Sequence, residues 1–258
     1  MKVFFSLLIA LAFLSESYGQ NKEAKRYLKV QQLVFTDQWE SALSLIHEAE
    51  NDGDLEHFHI LQYNKAACLY RMQFSFNAID SVLQFALEVE KSNIYYDLTK
   101  GNSYWLYASM YRDLENLDQC ANYISKAVKH FDKSTSAYGS LISNLGFIQI
   151  ELERYEKAIE TFDKSIKHDP KNAYAYNNRA LAKLNLCDLK GALEDLDISS
   201  KLDSKNPYLF KHYALVYLEQ KRTAKACKML EKSKNMGYYE YLGHNDNEVN
   251  ELLNEHCK

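Results

Sequence analysis

Six times along the chain a small residue recurs in register with an apolar residue four positions later. The column Ala42, Ala78, Cys120, Ala158, Ala192 and Ala226 is small throughout, at intervals of 36, 42, 38, 34 and 34 residues. Four positions on come Ile46, Val82, Ile124, Phe162, Leu196 and Leu230. Twelve positions before the small column come Val30, Ala66, Ala108, Gly146, Ala180 and Ala214, small in five of six cases. Two helices approach closely only where small side chains face each other. A small residue on each helix, with large apolar residues three or four positions away, specifies an antiparallel helical hairpin. One hairpin cannot bury both of its faces, so six of them stack into a solenoid.

Composition agrees with an all-α chain. Among 258 residues there are two prolines and eight glycines, and no Val/Ile/Thr-rich alternating run suggests a strand. A formal net charge of −4 removes the electrostatic footprint of a nucleic-acid binder. The N-terminus reads MKVFFSLLIALAFLSESYGQ. Lys2 precedes an apolar run from Val3 to Leu14, and Ser17-Tyr18-Gly19 places small residues at −3 and −1 of a cleavage point before Gln20. That pattern predicts a secretory signal peptide over 1–19 and an exported chain, periplasmic or secreted. Twelve apolar residues are too few to span a bilayer, and no other run is longer, so no stable membrane insertion is expected after cleavage.

Chemistry-bearing constellations are sparse. His57-Phe58-His59 places two histidines at i and i+2, which point to different helix faces and make poor joint ligands. His47-Glu48 lacks the second histidine of a zinc hydrolase motif. Asn245-Asp246-Asn247-Glu248 lacks the glycine and spacing of a calcium loop. No nucleophile elbow, phosphate loop or dinucleotide fingerprint occurs. The expectation is no catalytic residue, no metal and no cofactor.

The columns resemble the tetratricopeptide repeat (TPR) family, and in particular exported bacterial TPR proteins. The fourth repeat carries Ile142, Leu145-Gly146, Tyr155, Ala158, Phe162, Ser165 and Pro170. The fifth carries Tyr176, Arg179-Ala180, Leu189, Ala192, Leu196 and Ser199, and the sixth Phe210, Tyr213-Ala214, Tyr217, Ala226, Leu230 and Ser233. The first three depart further: Lys29 and Lys65 stand where the family has leucine, and none ends in proline. The resemblance implies a right-handed superhelical α-solenoid of about six hairpins. Repeats fall at about 23–56, 59–92, 101–134, 139–172, 173–206 and 207–240, a single domain over 20–258. Extra residues at 93–100 and 135–138 lie between repeats. Val249, Leu252 and Leu253 at helical spacing predict a terminal capping helix over about 246–256. Among local signals, Asn206-Pro207 and Asp188 read as helix starts, and Asp37-x-x-Glu40 as a capping box.

In that family the first helix of each repeat lines a concave groove. The corresponding positions here are Tyr27, Tyr63, Tyr70, Trp105, Arg112, Phe147, Tyr174, Asn177, Tyr208 and Lys211. Aromatics with a polar tip serve as binding anchors, though several could equally pack between helices. The implied function is a non-enzymatic scaffold that binds an extended peptide or partner protein in the groove. A module for carbohydrate or another small ligand in the cell envelope is the alternative. The family's carboxylate grip is incomplete, with only Asn177 and Lys211 suitably placed. Among five cysteines, Cys227 follows the small-column Ala226 and should face the next helix, near whose end Cys257 lies. A disulfide between them, or two small thiols, both fit that placement.

Overall fold

The computed structural model describes residues 22–53, 58–93, 95–237 and 248–257. The signal peptide expected over 1–19, His57 and the segment Asn245-Asp246-Asn247 lie outside the described residues. Those residues form thirteen helices and no strand. They are α1 (Lys22–Phe35), α2 (Trp39–Asn51), α3 (Phe58–Arg71), α4 (Phe76–Leu87), α5 (Tyr96–Asp113), α6 (Leu117–Ala127) and α7 (Ser136–Glu151). There follow α8 (Tyr155–His168), α9 (Ala173–Asn185), α10 (Leu189–Leu202), α11 (Pro207–Glu219), α12 (Thr223–Asn235) and α13 (Glu248–His256). The chain divides into two compact units between Leu141 and Ile142, inside α7.

Each unit is built by one rule: the second helix of a hairpin shares its apolar face with the first helix of the next. In the N-terminal unit, Val30 of α1 and Ile46 and Ala49 of α2 meet Ile60 and Leu61 of α3. Ala66, Ile79 and Leu83 in turn meet Leu106, Tyr107 and Met110 of α5. In the C-terminal unit, Ala158 and Phe162 of α8 meet Ala175 and Ala182 of α9. Leu196 of α10 meets Leu209, Phe210 and Tyr213 of α11, and Leu230 of α12 meets Val249 of α13. Phe162, Leu196 and Leu230 are fully buried, each contributing about 1.5–3 kcal/mol.

The three columns are buried as their spacing demands, with one exception in the second hairpin. Ser75 accepts from the Ala78 amide and caps α4, so that helix begins one residue later than its counterparts. The buried face is therefore Ile79, Leu83 and Ala86, not Ala78, Val82 and Phe85. Phe74 and Phe85 are left exposed. A one-residue slip turns a helix by about 100°, enough to exchange a packing face for a flank.

The turn inside each hairpin shows a second regularity. Asp37, Gln73, Glu115, Glu153, Cys187 and Lys221 all have positive φ, between 55° and 61°. Their intervals repeat those of the small column. After each, the next amide bonds a carbonyl five residues back: Gln38 to Leu33, Phe74 to Leu69, Asn116 to Tyr111, Arg154 to Gln149, Asp188 to Lys183 and Arg222 to Tyr217. This is a Schellman ending, which normally recruits glycine; here six other residues adopt it. Asp37 is consequently a left-handed turn residue and not the cap of α2, whose N-cap is Gln38 without a side-chain bond. Asp188 and Asn206 do cap, accepting from the amides of Gly191 and Tyr208.

The extra residues at 96–100 and 136–138 are helical, adding turns to the starts of α5 and α7. At the C-terminus Cys227 and Cys257 form a disulfide with Cα atoms 5.6 Å apart, joining α12 to α13. Cys68 and Cys120 are buried thiols and Cys187 is exposed. Burial pushes the Cys68 thiol up to about 12.

Candidate functional site: the first-helix faces

The groove positions behave differently in the two units. On α1, Tyr27 is core: it is buried among Val30, Ile46 and Ile60, with its ring 5.3 Å from that of Tyr95. Burial raises its hydroxyl pKa well above the usual phenol range. Tyr63 is half-buried, packed against two apolar clusters, and burial pushes its hydroxyl up to about 12. Tyr70 donates from its hydroxyl to Asp113 Oδ2 at 2.6 Å, joining α3 to α5. Burial and that bond push it, too, up to about 12. Trp105 is half-buried and Arg112 exposed on the same helix, two turns apart.

In the C-terminal unit, Tyr174 is 41% exposed and Phe147 half-buried. Asn177 is buried, and its Oδ1 lies 3.1 Å from Nδ1 of buried His212. Burial first, and the charge of Lys211 second, lower the His212 pKa to about 3. His212 is therefore neutral at physiological pH, and its Nδ1–H donates to the amide oxygen. Lys211 lies with its ammonium 5.4 Å from the Tyr208 ring centroid and pairs with Glu248 of α13 at 2.6 Å. Both polar groups suited to a carboxylate grip are thus engaged within the chain. The structure brings Lys211 and Tyr208 together, and it joins Asn177 to a histidine that sequence reasoning passed over.

Sequence reasoning also missed two polar and aromatic clusters, because both depend on which helices meet. In the first, Asp195 of α10 is 3% exposed at its side chain and receives a bidentate pair from Arg179. Lys183 adds a contact at 2.8 Å, and Arg179 also reaches Asp163 at 2.5 Å. Burial opposes the guanidinium charge, but hydrogen bonds to both carboxylates outweigh it and raise the Arg179 pKa. The i, i+4 spacing of Arg179 and Lys183 is the available signal. In the second, Tyr123 of α6 is stacked between Tyr107 and Tyr111 of α5, with centroids 4.8 and 5.3 Å away. Lys126 Nζ sits 4.4 Å from the Tyr123 centroid. Burial and a hydrogen bond to Asp80 raise the Tyr107 hydroxyl pKa beyond the usual phenol range.

An open polar depression of about 420 Å³ is lined by His59, Glu88, Glu90, Ser92 and Asn93. Its histidine is tied through Nδ1 to the Phe85 carbonyl at 2.8 Å. Among the described residues no three His, Cys, Asp or Glu side chains gather as metal ligands. No helix there is long and apolar enough to cross a membrane.

Stacked antiparallel hairpins with a small-residue seam define an all-α helical-repeat protein. The model of the TPR repeat family matches residues 146–186, from within α7 to the turn after α9. No curated protein sequence matches it. Solved structures with the same fold include one described as the functional characterisation of Pseudomonas aeruginosa pilF. The two share 12% identity at a TM-score of 0.65, over 90% of this chain and 97% of that one. Another is YrrB, described as a TPR protein with an unusual peptide-binding site: 19% identity, TM-score 0.54, 76% of this chain and 93% of that one. A third, the APC/C hetero-tetramer Cut9-Hcn1, shares 15% identity at a TM-score of 0.61, over 96% of this chain and 46% of that one.

Proposed function

We propose that the protein is an exported, non-enzymatic interaction module that binds an extended peptide or partner-protein segment on the first-helix faces of its hairpins. The observation that carries this reading is the state of Tyr174, Phe147 and Trp105. These are large aromatics on first helices at groove positions, and they keep part of their surface in solvent. Such side chains offer contact area at low entropic cost. YrrB, of the same fold, is described as having a peptide-binding site, which supports a peptide as ligand. Export rests on the N-terminal pattern of 1–19.

The test is affinity selection of a random peptide library on the chain from Gln20 onward. Peptides so selected should lose about tenfold or more in affinity for Trp105→Ala or Tyr174→Ala, the scale of a truncated aromatic anchor. Circular dichroism should show the variants folded. Equal binding to both variants would sink the groove. Processing at Gln20 is read separately, by N-terminal sequencing of the exported chain.

A further inference from the structure

We propose that α12 is a second docking surface, separate from the first-helix faces, for an extended acidic segment of a partner protein. The chain as a whole is acidic, yet Lys221, Arg222, Lys225, Lys228, Lys232 and Lys234 crowd onto one helix and its entry turn, against a single carboxylate, Glu231. All six cations are exposed. None makes an ion pair among the described residues, whereas Arg179 and Lys183 of the neighbouring hairpin both pair with Asp195, and Arg179 with Asp163 as well. Lys225, Lys228 and Lys232 stand at i, i+3 and i+7 and so form one stripe along the helix.

Two lysines of the stripe, Lys225 and Lys232, and Arg222 of the entry turn are backed by rings. Phe210, Tyr213 and Tyr217 of α11 stack in series, with centroids 6.5 and 6.2 Å apart. Lys232 Nζ lies 3.9 Å from the Phe210 centroid, and Arg222 and Lys225 both lie over Tyr217 at 5.2 and 5.8 Å. A ring face attracts a cation without neutralising it, so these groups are positioned while their charge stays available. The disulfide to Cys257 anchors the helix beneath them.

The shape of the positive region selects the occupant. α13, packed on α12, exposes Glu251 and Glu255, and α10, packed on α11, exposes Glu194 and Asp197. The positive region is a band one helix wide between acidic neighbours. A flat anionic bilayer would meet those carboxylates along with the lysines, whereas a single extended chain need not. Thirteen helical residues at 1.5 Å each make the band about 20 Å long, the length of about six residues of extended chain.

A fluorescein-labelled hexaglutamate peptide, with hexaglutamine as control, tests this by anisotropy on the disulfide-intact chain. Wild type should bind hexaglutamate and not hexaglutamine, with affinity falling as salt rises. The triple variant Lys225→Gln/Lys228→Gln/Lys232→Gln should lose about tenfold or more, from several exposed pairs acting together. Neutralising two exposed lysines elsewhere, Lys157→Gln/Lys164→Gln on α8, should change nothing. Trp105→Ala/Tyr174→Ala should leave hexaglutamate binding intact, so loss of the groove reading and loss of this one are told apart. Equal binding by the triple variant, equal binding of hexaglutamine, or no binding by wild type at low salt overturns the proposal. So does capture by phosphatidylglycerol vesicles without binding of hexaglutamate.

Discussion

Gly146→Ala is the sharpest probe of the small-residue seam, because two effects of known sign oppose each other there. An ideal Cβ at Gly146 would lie 2.8 Å from Cε1 and Cζ of Phe162 and 3.0 Å from Cε2. Ordinary carbon contacts are about 3.5–4.0 Å, so the ring or the α7 backbone must give way by the best part of an ångström. Phe162 has little room to do so. It is fully buried among Ile150, Ala158, Ala175 and Ala182. Overpacking of this kind costs about 1–3 kcal/mol, whereas replacing a mid-helix glycine by alanine returns about 1 kcal/mol of helix propensity. The expected net result is destabilisation by up to about 2 kcal/mol. Both tryptophans, Trp39 and Trp105, lie in the N-terminal unit, so intrinsic tryptophan fluorescence would follow the wrong part of the chain. Hydrogen exchange of the amides around Ala158–Phe162, read by mass spectrometry, reports the affected hairpin directly. Phe162→Leu shortens the ring to a side chain that can move aside, so it should cost less in Gly146→Ala than in wild type. A coupling of about 1 kcal/mol or more is expected from such a contacting pair. If Gly146→Ala instead slows exchange there, propensity alone governs the site and the seam argument fails.

Three further outcomes are expected. Glu115→Gly and Glu153→Gly, at left-handed turn positions, should each stabilise by about 0.5–1 kcal/mol in urea unfolding, since glycine adopts positive φ without the Cβ clash; valine there should destabilise. Cys257→Ser should cost about 3–4 kcal/mol, the chain-entropy value for a link spanning 30 residues. Amides of α13 should exchange faster in that variant and in reduced wild type, and unchanged protection would refute the disulfide's role. His212 must stay neutral in the folded state, with its pKa lowered to about 3 against about 6.5 unfolded. Its contribution is therefore complete above about pH 6.5 and is lost as pH falls toward 3. Between pH 6 and 4 wild type should lose about 1.4 kcal/mol per pH unit more than His212→Gln; parallel pH profiles would contradict this.

How much of the protein was legible in its residues follows from what each feature depends on. Helix existence, hairpin pairing and the small-residue seam are local and periodic. Ala158, Phe162 and Ser165 share a helix face whatever lies opposite, so spacing alone recovers them. The same logic failed at α4, where Ser75 captured the cap and moved the face by one residue. A cap is a competition between neighbouring residues that a column cannot weigh. Likewise Asp37 looked like a cap because its side chain suits one. The hairpin geometry instead required a left-handed residue there, and the absence of glycine concealed the demand.

The candidate site was less legible, since a binding surface is what remains after packing has taken its share. By itself the sequence determined that Tyr27, Asn177 and Lys211 occupy equivalent first-helix positions, each three residues before the small column. Only the tertiary structure decided that Tyr27 is buried against Tyr95, that Asn177 serves His212, and that Lys211 is matched by Glu248 thirty-seven residues away. It also decided that Lys225 and Lys232 of α12 lie over rings of α11, with no ion-pair partner among the described residues. The periodicity of a helix fixes which way a side chain points relative to its neighbours in sequence. Burial and charge pairing depend on what arrives from elsewhere in the chain.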